Sequence, residues 1–435
     1  MRDNDKTRHT YDRWQEKRVM QALSTRRVLI LAGCRQCGKT TLARGLAGAD
    51  SIYRTLDDPT LMAAAQSDPA GFVAHADELM IIDEIQRVPA LLQAIKRNVD
   101  DNQNPGRFLL TGSANIQSLP GVTESLAGRV RKLRLRPLTQ GELLGNTPQF
   151  PQAAFREEFT AFRSNHFSSD PFSSDPENLQ GRAFDQDFYI TQALKGGYPE
   201  ALRFENEREI RQWHKDYVES LIERDLREII NIRRKDSMLT LLEILAAWSS
   251  NYMDVAKIGA DLALQRPALE SYINALETLY LVERVPAWTR TDYDRAGKRD
   301  KILMTDSGLM SSILNWRHER VRLDGKLYGK LLETYVFTQL AAILDAQEED
   351  YSLFHYRDRE KREIDFLVEN ENGDLLGLEV KAASAISRES FKHLEWFKTN
   401  LAGEHRFTGL VLYTGEHIVS FGPGLWALPI SALWH

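Results

Sequence analysis

The sequence has 435 residues, of which 42% are hydrophobic and 27% are charged, and its formal net charge is −6. This length exceeds what one hydrophobic core supports, so we expect roughly two to four domains. The acidic balance gives no overall sign of a nucleic-acid-binding protein, so any basic surface has to be local. No apolar run approaches the roughly 18 residues of a membrane span, and the polar start lacks the apolar stretch of a signal peptide. A reducing, cytoplasmic setting without a membrane partner is the simplest interpretation.

The stretch GCRQCGKTT, residues 33–41, fits two different kinds of site. Cys34 and Cys37 have the C-x-x-C spacing of redox dithiols and zinc sites, but two thiols cannot complete a four-ligand zinc site. The same letters spell G-x-x-x-x-G-K-T, the loop that wraps the phosphates of a nucleotide. An apolar strand precedes the stretch and a helical pattern follows it, which favours the phosphate loop.

In the phosphate-loop interpretation, Gly33 and Gly38 let backbone N–H groups close around a polyphosphate at a helix N-terminus. Lys39 is predicted to reach the β- and γ-phosphates, and Thr40 is predicted to hold Mg²⁺. The other predicted nucleotide-binding positions are Cys34, Arg35, Gln36, Cys37 and Thr41. The two cysteines then occupy unconstrained positions; a disulfide between them that switches nucleotide binding off is the alternative hypothesis.

Two further apolar strands add to this site. The first, residues 79–84, ends in Asp83, predicted to bind Mg²⁺ through its water shell, and Glu84, predicted to orient or activate the attacking water. The second spans residues 107–115, and Thr111 or Ser113 at its polar end is predicted to sense the γ-phosphate. Alternating strands and helices imply a doubly wound parallel α/β sheet, so these features together predict a P-loop ATPase.

The segments GCRQCGKTTLARGL, LMIIDEIQRVPALLQAIK, FLLTGSANIQSLPGVTESLAGRV and GGYPEAL resemble a family of AAA+-type ATPases from bacteria and archaea. Those proteins carry a C-terminal domain of unknown function, and the resemblance extends over nearly the whole chain apart from one insertion. It implies ATP as the nucleotide and self-association into a ring, in which an arginine of one subunit completes the site of its neighbour. Arg129 is the candidate for that arginine; an ion-paired or nucleotide-sensing arginine within its own subunit is the alternative. The family usually has proline where Cys34 stands, a departure that affects only an unconstrained position.

The middle of the chain contains a tandem repeat, FSSDPFSSDP at residues 167–176. Its polar composition and Asp-Pro turns predict a surface insertion at about 163–187. Helical patterns and two strands near 280–285 and 301–304 then predict a winged helix. Its recognition helix is poor in cations, so any DNA contact is expected through phosphates at the hairpin; a protein-packing module is the alternative. The candidate contacts are Arg290, Arg295, Lys298, Arg299 and Lys301.

The last region holds a second set of charged residues. Glu333 lies in a helical pattern, Asp365 lies in an alternating strand, and a period of two places Glu379 and Lys381 on one face of the next strand. This arrangement looks like the PD-(D/E)xK nuclease fold. The resemblance implies that Glu333, Asp365 and Glu379 hold a second Mg²⁺ or a Mn²⁺, and that Lys381 helps to activate water. A fold that has lost its nuclease activity is the alternative.

The expected domains are an ATPase domain at 1–145, a helical segment at 146–235, a winged helix at 236–310 and a nuclease-like domain at 311–435. The leading hypothesis is an ATP-hydrolysing enzyme that moves along or remodels duplex or branched DNA. One alternative is an ATP-gated nuclease of a defence system. The other is an ATP-controlled regulatory switch that binds a protein partner without processing DNA.

Overall fold

A computed structural model describes residues 11–112, 126, 128–159, 184–229, 235–262, 264–291 and 298–435. The tandem repeat, Ser113 and Arg295 lie outside these ranges. Within the ranges, no helix is long and apolar enough to cross a membrane.

The N-terminal domain is a five-stranded sheet in the order β2-β3-β4-β1-β5, with every neighbouring pair parallel. Its strands are β1 (Val28–Gly33), β2 (Ile52–Thr55), β3 (Met80–Asp83), β4 (Phe108–Thr111) and β5 (Val130–Leu135). Its helices are α1 (Gln15–Thr25), α2 (Lys39–Gly45), α3 (Pro59–Ser67), α4 (Pro69–Val73) and α5 (Leu91–Asp101). Strands β1, β3 and β4 are fully buried apolar runs, as expected for a parallel sheet covered on both faces. The predicted parallel α/β sheet is confirmed, and its strand ends meet at one edge.

A helical segment follows. Its helices are α6 (Gln140–Leu143), α7 (Phe150–Arg156), α8 (Gln186–Lys195), α9 (Glu207–Ile229) and α10 (Lys235–Trp248). Helix α8 begins inside the range predicted for the insertion. The Asp185 side chain caps it by accepting a hydrogen bond from the Phe188 N–H at 2.8 Å, and the Phe184 ring packs edge-on against Trp434. These contacts thus begin by residue 184, and the extent of the insertion stays a prediction.

A three-stranded antiparallel sheet comes next, in the order β6-β8-β7. Its strands are β6 (Asn251–Tyr252), β7 (Val282–Val285) and β8 (Lys301–Met304), and its helices are α11 (Val255–Leu262) and α12 (Arg266–Thr278). The two strands predicted as a hairpin pair with Val282 opposite Met304 and Val285 opposite Lys301. Strand β8 is therefore central and held on both sides.

The C-terminal domain contains a six-stranded mixed sheet in the order β13-β14-β12-β11-β10-β9. Its strands are β9 (Ser352–Arg357), β10 (Glu363–Glu369), β11 (Leu375–Lys381), β12 (Phe407–Tyr413), β13 (Val419–Gly422) and β14 (Leu425–Pro429). The helices from residue 307 onward are α13 (Ser307–Ile313), α14 (His318–Leu323), α15 (Gly325–Ala346) and α16 (Lys392–Asn400). Short 3₁₀ helices lie at Ile85–Arg87, Ala201–Arg203, Arg388–Phe391 and Ile430–Trp434. Helix α15 is buried along most of its length and packs against β11, so it forms the centre of this core.

A buried ion cluster connects the N-terminal sheet, the three-stranded sheet and the C-terminal domain. Arg136, just after β5, contacts Glu283 on β7 at 2.8 Å and Asp345 on α15 at 2.6 Å. Arg134 adds a second contact to Glu283 at 2.6 Å. Burial raises the pKa of Glu283, but the two arginines outweigh it and lower the pKa from its ordinary 4.5 to about 2. The end of β5 is therefore fixed to both following domains.

Candidate functional site

The loop between β1 and α2 is shaped by glycine. Gly33 and Gly38 have positive φ angles of 153° and 102°, a region that L side chains rarely adopt. A Cβ atom on Gly33 would lie 2.2 Å from the carbonyl oxygen of Leu135 on β5. The first glycine of the motif is therefore required by the close approach of β5, in addition to any ligand.

Two cations line this loop. The buried Lys39 ammonium donates hydrogen bonds to the carbonyl oxygens of Gly33 at 3.0 Å and Cys34 at 2.7 Å. Arg13, which lies ahead of α1, donates to the carbonyl oxygen of Cys37 at 2.7 Å. Its Nε also pairs with Glu142 at 3.0 Å, which fixes the guanidinium in place. Sequence patterns pointed to Lys39 but not to Arg13, because no local motif links residue 13 to the loop.

Asp83 lies at the end of β3 beside the start of α2. The Thr40 hydroxyl donates to its carboxylate at 3.1 Å, and the Tyr53 hydroxyl donates at 2.9 Å. The Thr111 hydroxyl, at the end of β4, donates to the same carboxylate. The Thr111 side chain thus contacts Asp83, and sensing of the γ-phosphate by Thr111 or Ser113 stays a prediction. Three neighbouring elements thus hold one buried carboxylate next to the loop.

This arrangement fits a nucleotide with Mg²⁺. The Thr40 hydroxyl and the Asp83 carboxylate are hard oxygen donors of the kind that Mg²⁺ prefers, and Lys39 offers a cation to phosphates. Thr40 and Asp83 would hold Mg²⁺, which would supply positive charge against the phosphates of the nucleotide. Glu84 follows Asp83 in the left-handed region, with φ of 59°, and its half-buried carboxylate accepts a hydrogen bond from the Gln86 amide. Glu84 therefore lies just beyond the end of β3, and its role in orienting or activating the attacking water stays a prediction.

The two cysteines are buried, reduced thiols beneath the loop. The Cys37 Sγ contacts the carbonyl oxygen of Leu135 at 3.4 Å. Burial raises the pKa of Cys37, but the Cys34 thiol and the cations of Lys39 and Arg13 lower it to about 6. Burial raises the pKa of Cys34 well above its ordinary value. Neither thiol projects as a ligand, and the disulfide hypothesis stays a prediction.

Two tyrosines of the helical segment touch the loop. The Tyr217 hydroxyl on α9 donates to the carbonyl oxygen of Arg35 at 3.0 Å. Tyr198 is fully buried and its hydroxyl lies against the Cys34 thiol. The preceding Gly196 and Gly197 leave no room for a side chain, since a Cβ atom on Gly196 would lie 2.3 Å from Asp306 Oδ1 and one on Gly197 would lie 2.1 Å from the Leu138 carbonyl oxygen. No sequence pattern connects Tyr198 or Tyr217 to the nucleotide site.

Arg129 lies far from the loop of its own chain. It precedes β5, whose first residue, Val130, is paired with Val28 at the start of β1, whereas the loop follows the end of β1. The Arg129 Nε forms an ion pair with Asp100 on α5 at 2.5 Å. The alternative of an ion-paired arginine is therefore observed within the chain, and action on a neighbour's nucleotide stays a prediction.

The predicted hairpin cations that the structure describes differ in their exposure and in their contacts. Lys298 and Arg290 are exposed, although Arg290 donates to the Asn400 carbonyl oxygen at 2.5 Å, and Arg299 pairs with Asp254 at 3.1 Å. Lys301 is only 2% exposed, so its prediction as a DNA contact is wrong. Lys301 lies in the central strand of the sheet, and the alternation of side chains along that strand turns its side chain inward. The basic residues near it in the sequence suggested an exposed loop, so the sequence alone did not reveal this burial.

The predicted acidic residues do come together. Asp365 on β10 and Glu379 on β11 lie on adjacent strands, and the Asp365 Oδ2 accepts a hydrogen bond from the Val380 N–H at 2.9 Å. The Lys381 ammonium lies 3.1 Å from the Glu379 carboxylate. Burial and the neighbouring Asp365 raise the pKa of Glu379 to about 8, against the opposing effect of Lys381.

Lys301 lies inside the same centre. Its ammonium forms an ion pair with Glu333 on α15 and lies 3.4 Å from Asp365 Oδ1. It also lies 5.2 Å from the centre of the Phe366 ring. Burial raises the pKa of Glu333 to about 7 even though Lys301 opposes the shift, while the two acids raise the pKa of Lys301.

This donor set does not fit a metal ion. Both oxygens of Asp365 are engaged, one by Lys301 and one by the Val380 N–H, and Glu333 and Glu379 each have an ammonium partner. Within the ranges that the structure describes, no three His, Cys, Asp or Glu side chains converge in a way that would hold a metal. We therefore assign no nuclease step to these residues.

Family comparisons agree with the N-terminal geometry. A family model described as "AAA domain" matches residues 25–144. Residues 25–144, with their parallel α/β sheet, therefore resemble the AAA domains of ATPases. Two further models, both described as domains of unknown function, match residues 186–320 (DUF8612) and 328–433 (DUF4143). The first of these spans most of the helical segment and the three-stranded sheet as one unit.

Similar proteins are found in bacteria and archaea. An uncharacterized protein of Mycobacterium tuberculosis is 27% identical over 399 residues, covering 90% of this chain and 80% of the relative. One of Methanocaldococcus jannaschii is 22% identical over 365 residues, covering 80% and 74%. Solved structures with low similarity include the RuvB Holliday junction branch migration motor of Thermotoga maritima and Cdc6p of Pyrobaculum aerophilum. The first is 17% identical with a TM-score of 0.23 over 62% of this chain and 88% of that chain; the second is 14% identical with a TM-score of 0.23 over 72% and 94%. Functional inference therefore rests on the site itself.

Proposed function

We propose that this chain is a Mg²⁺-dependent ATPase that couples ATP hydrolysis to action on DNA. One observation carries the ATPase part: Lys39, Thr40 and the acids Asp83 and Glu84 converge at the carboxyl edge of a parallel sheet. Brought together with phosphates, these groups supply charge stabilisation and a base, which are the main requirements of phosphoryl transfer.

The contacts of the loop support coupling to the rest of the chain. Tyr217 ties the loop to α9, and α9 leads along the chain toward the three-stranded sheet. Arg136 ties the end of β5 to β7 in that same sheet. A change in loop geometry on ATP binding therefore has two direct routes to the middle of the chain.

DNA is the proposed target because of the layout of that middle region. The elements follow the order helix, strand, helix, helix and antiparallel hairpin, which is the order of a winged helix. A winged helix contacts DNA with a helix and a hairpin. Exposed Arg266 at the start of α12 and Lys298 near the hairpin offer phosphate contacts. We also propose self-association with Arg129 at a subunit interface.

The experiment is steady-state phosphate release from Mg²⁺-ATP, alone and with single-stranded, duplex or four-way-branched DNA at low salt. Lys39→Ala serves as the blank. We expect at least one DNA structure to raise the rate of hydrolysis, because the contacts described above connect the nucleotide domain to the proposed DNA-binding region. Equal rates in every sample, with no DNA binding at low salt, would contradict the DNA part and leave the ATPase part standing.

The regulatory switch remains the second candidate, favoured by a specific observation. Arg290 and Arg299 are engaged by Asn400 and Asp254 of the chain itself, which leaves fewer cations for phosphates than the sequence suggested. A protein partner that changes the hydrolysis rate when DNA does not would favour this candidate.

Replacing Tyr217 by Phe tests the coupling. The change removes one hydrogen bond to the loop, worth about 0.5–1.5 kcal/mol, so basal hydrolysis should change by no more than about tenfold. Stimulation by DNA should fall much further. Tyr351→Phe, which removes a hydroxyl that donates to Glu349 just before β9, is the matched control. Hydrogen exchange of α9 with and without nucleotide would report the same link; an unchanged α9 and full DNA stimulation in Tyr217→Phe would contradict it.

A further inference from the structure

The acidic centre of the C-terminal domain contains a cation that comes from another domain. Glu333, Asp365 and Glu379 belong to the C-terminal domain, whereas Lys301 belongs to β8 of the three-stranded sheet. Its ammonium pairs with two of these acids, and its side chain is 3% exposed. An ammonium so buried and so paired is a fixed part of the centre.

The backbone leaves Lys301 no other position. It pairs with Tyr252 on β6 and with Val285 on β7, so it lies in the middle of a sheet held from both sides. Next to it, the His355 ring on β9 contacts the Arg299 carbonyl oxygen at 3.0 Å, and the His355 N–H donates to the Pro286 carbonyl oxygen at 3.0 Å. The backbone at Lys301 is therefore fixed by its own sheet, and the flanking residues are held by β9 of the C-terminal domain.

The charges are already nearly balanced. Three carboxyl groups, Glu333, Asp365 and Glu379, face two ammonium groups, Lys301 and Lys381. A divalent cation added to this set would leave net positive charge in a buried place and would compete with Lys301 for Glu333 and Asp365. Unpaired buried charge is costly, so electrostatics favours the arrangement without a metal.

We propose that Lys301 is the resident cation of this centre, and that the centre joins the middle and C-terminal domains in place of binding the metal that nuclease chemistry requires. The C-terminal domain then serves as a clamp on the hairpin. The proposal concerns a different site from the nucleotide loop and stands independently of ATP hydrolysis.

Lys301→Met tests the proposal, because Met keeps the length of the side chain and removes its charge. We expect a melting temperature at least roughly 5 °C below that of the control Lys298→Met, since Glu333 and Asp365 would lose their cation. We also expect millimolar Mn²⁺, without nucleotide, to recover at least about 3 °C in Lys301→Met only, because the acids can then accept a metal. Equal stability of the two variants would overturn the proposal.

A second measurement remains decisive if Lys301→Met does not fold. Mn²⁺ binding by the unaltered chain is counted by electron paramagnetic resonance, with and without ADP, alongside Asp365→Asn. We expect the acidic centre to bind none, so that Asp365→Asn leaves the count unchanged and no Mn²⁺-dependent DNA cleavage depends on Asp365. A Mn²⁺ ion that is lost in Asp365→Asn, or cleavage lost in that variant, would overturn the proposal.

Discussion

Glu84→Gln is expected to lower ATP hydrolysis by about 10²–10⁴-fold while ATP binding is retained, since general-base catalysis typically contributes that much. Glu84 follows Asp83 at the end of β3 and has a left-handed backbone conformation. Its half-buried carboxylate accepts a hydrogen bond from the Gln86 amide. Gln keeps the size and the hydrogen-bonding shape of this side chain but cannot take a proton. The loop, Lys39 and Thr40 remain intact, so affinity for Mg²⁺-ATP should change little.

The measurement pairs single-turnover phosphate release with direct titration of a fluorescent ATP analogue. Glu16→Gln, exposed on α1, is the matched control and should hydrolyse ATP normally. If Glu84→Gln hydrolyses ATP at the normal rate, another residue positions the water, and the role assigned to Glu84 is wrong.

Arg136→Met is expected to destabilise the folded chain by about 3–5 kcal/mol, the usual cost of removing one partner from a buried ion cluster. Arg136 is 8% exposed and pairs with Glu283 and Asp345, so its loss takes this partner from the Asp345 carboxylate and leaves Glu283 with Arg134 alone. Urea unfolding measures the effect. Lys132→Met, on the exposed face of β5, is the control and should lose less than about 0.5 kcal/mol.

The same cluster predicts a pH dependence. The folded pKa of Glu283 is lowered to about 2 from an ordinary 4.5, so its contribution to stability is present above pH 4.5 and is lost as the pH falls toward 2. Arg136→Met should flatten this part of the stability profile. A profile identical in both proteins would show that Glu283 does not depend on Arg136.

The nucleotide site was largely predictable from the sequence because its residues follow strands. A buried strand followed by a glycine loop and a lysine defines Lys39 and Thr40, and a buried strand ending in acids defines Asp83. The chemistry is local to these short segments, so pattern and spacing suffice. The same local reasoning brought Asp365, Glu379 and Lys381 together, since all three lie on neighbouring strands.

Contacts between distant segments were not predictable. Arg13 reaches Cys37 across 24 residues, and Tyr217 reaches Arg35 across 182 residues, so no local period records either contact. Lys301 illustrates the opposite error. Its neighbours in sequence are charged and suggest a wing in solvent, but β8 is central and its pairing turns Lys301 toward Glu333.

We propose that ATP is hydrolysed at the loop around Lys39. The most direct measurement is phosphate release from Mg²⁺-ATP by the unaltered chain and by Lys39→Ala, purified and assayed in parallel. The structure predicts release by the unaltered chain and a decrease of at least about 10²-fold in Lys39→Ala, because the ammonium that stabilises phosphate charge is gone. Equal rates from the two proteins, or no release from either, would contradict the assignment of this site.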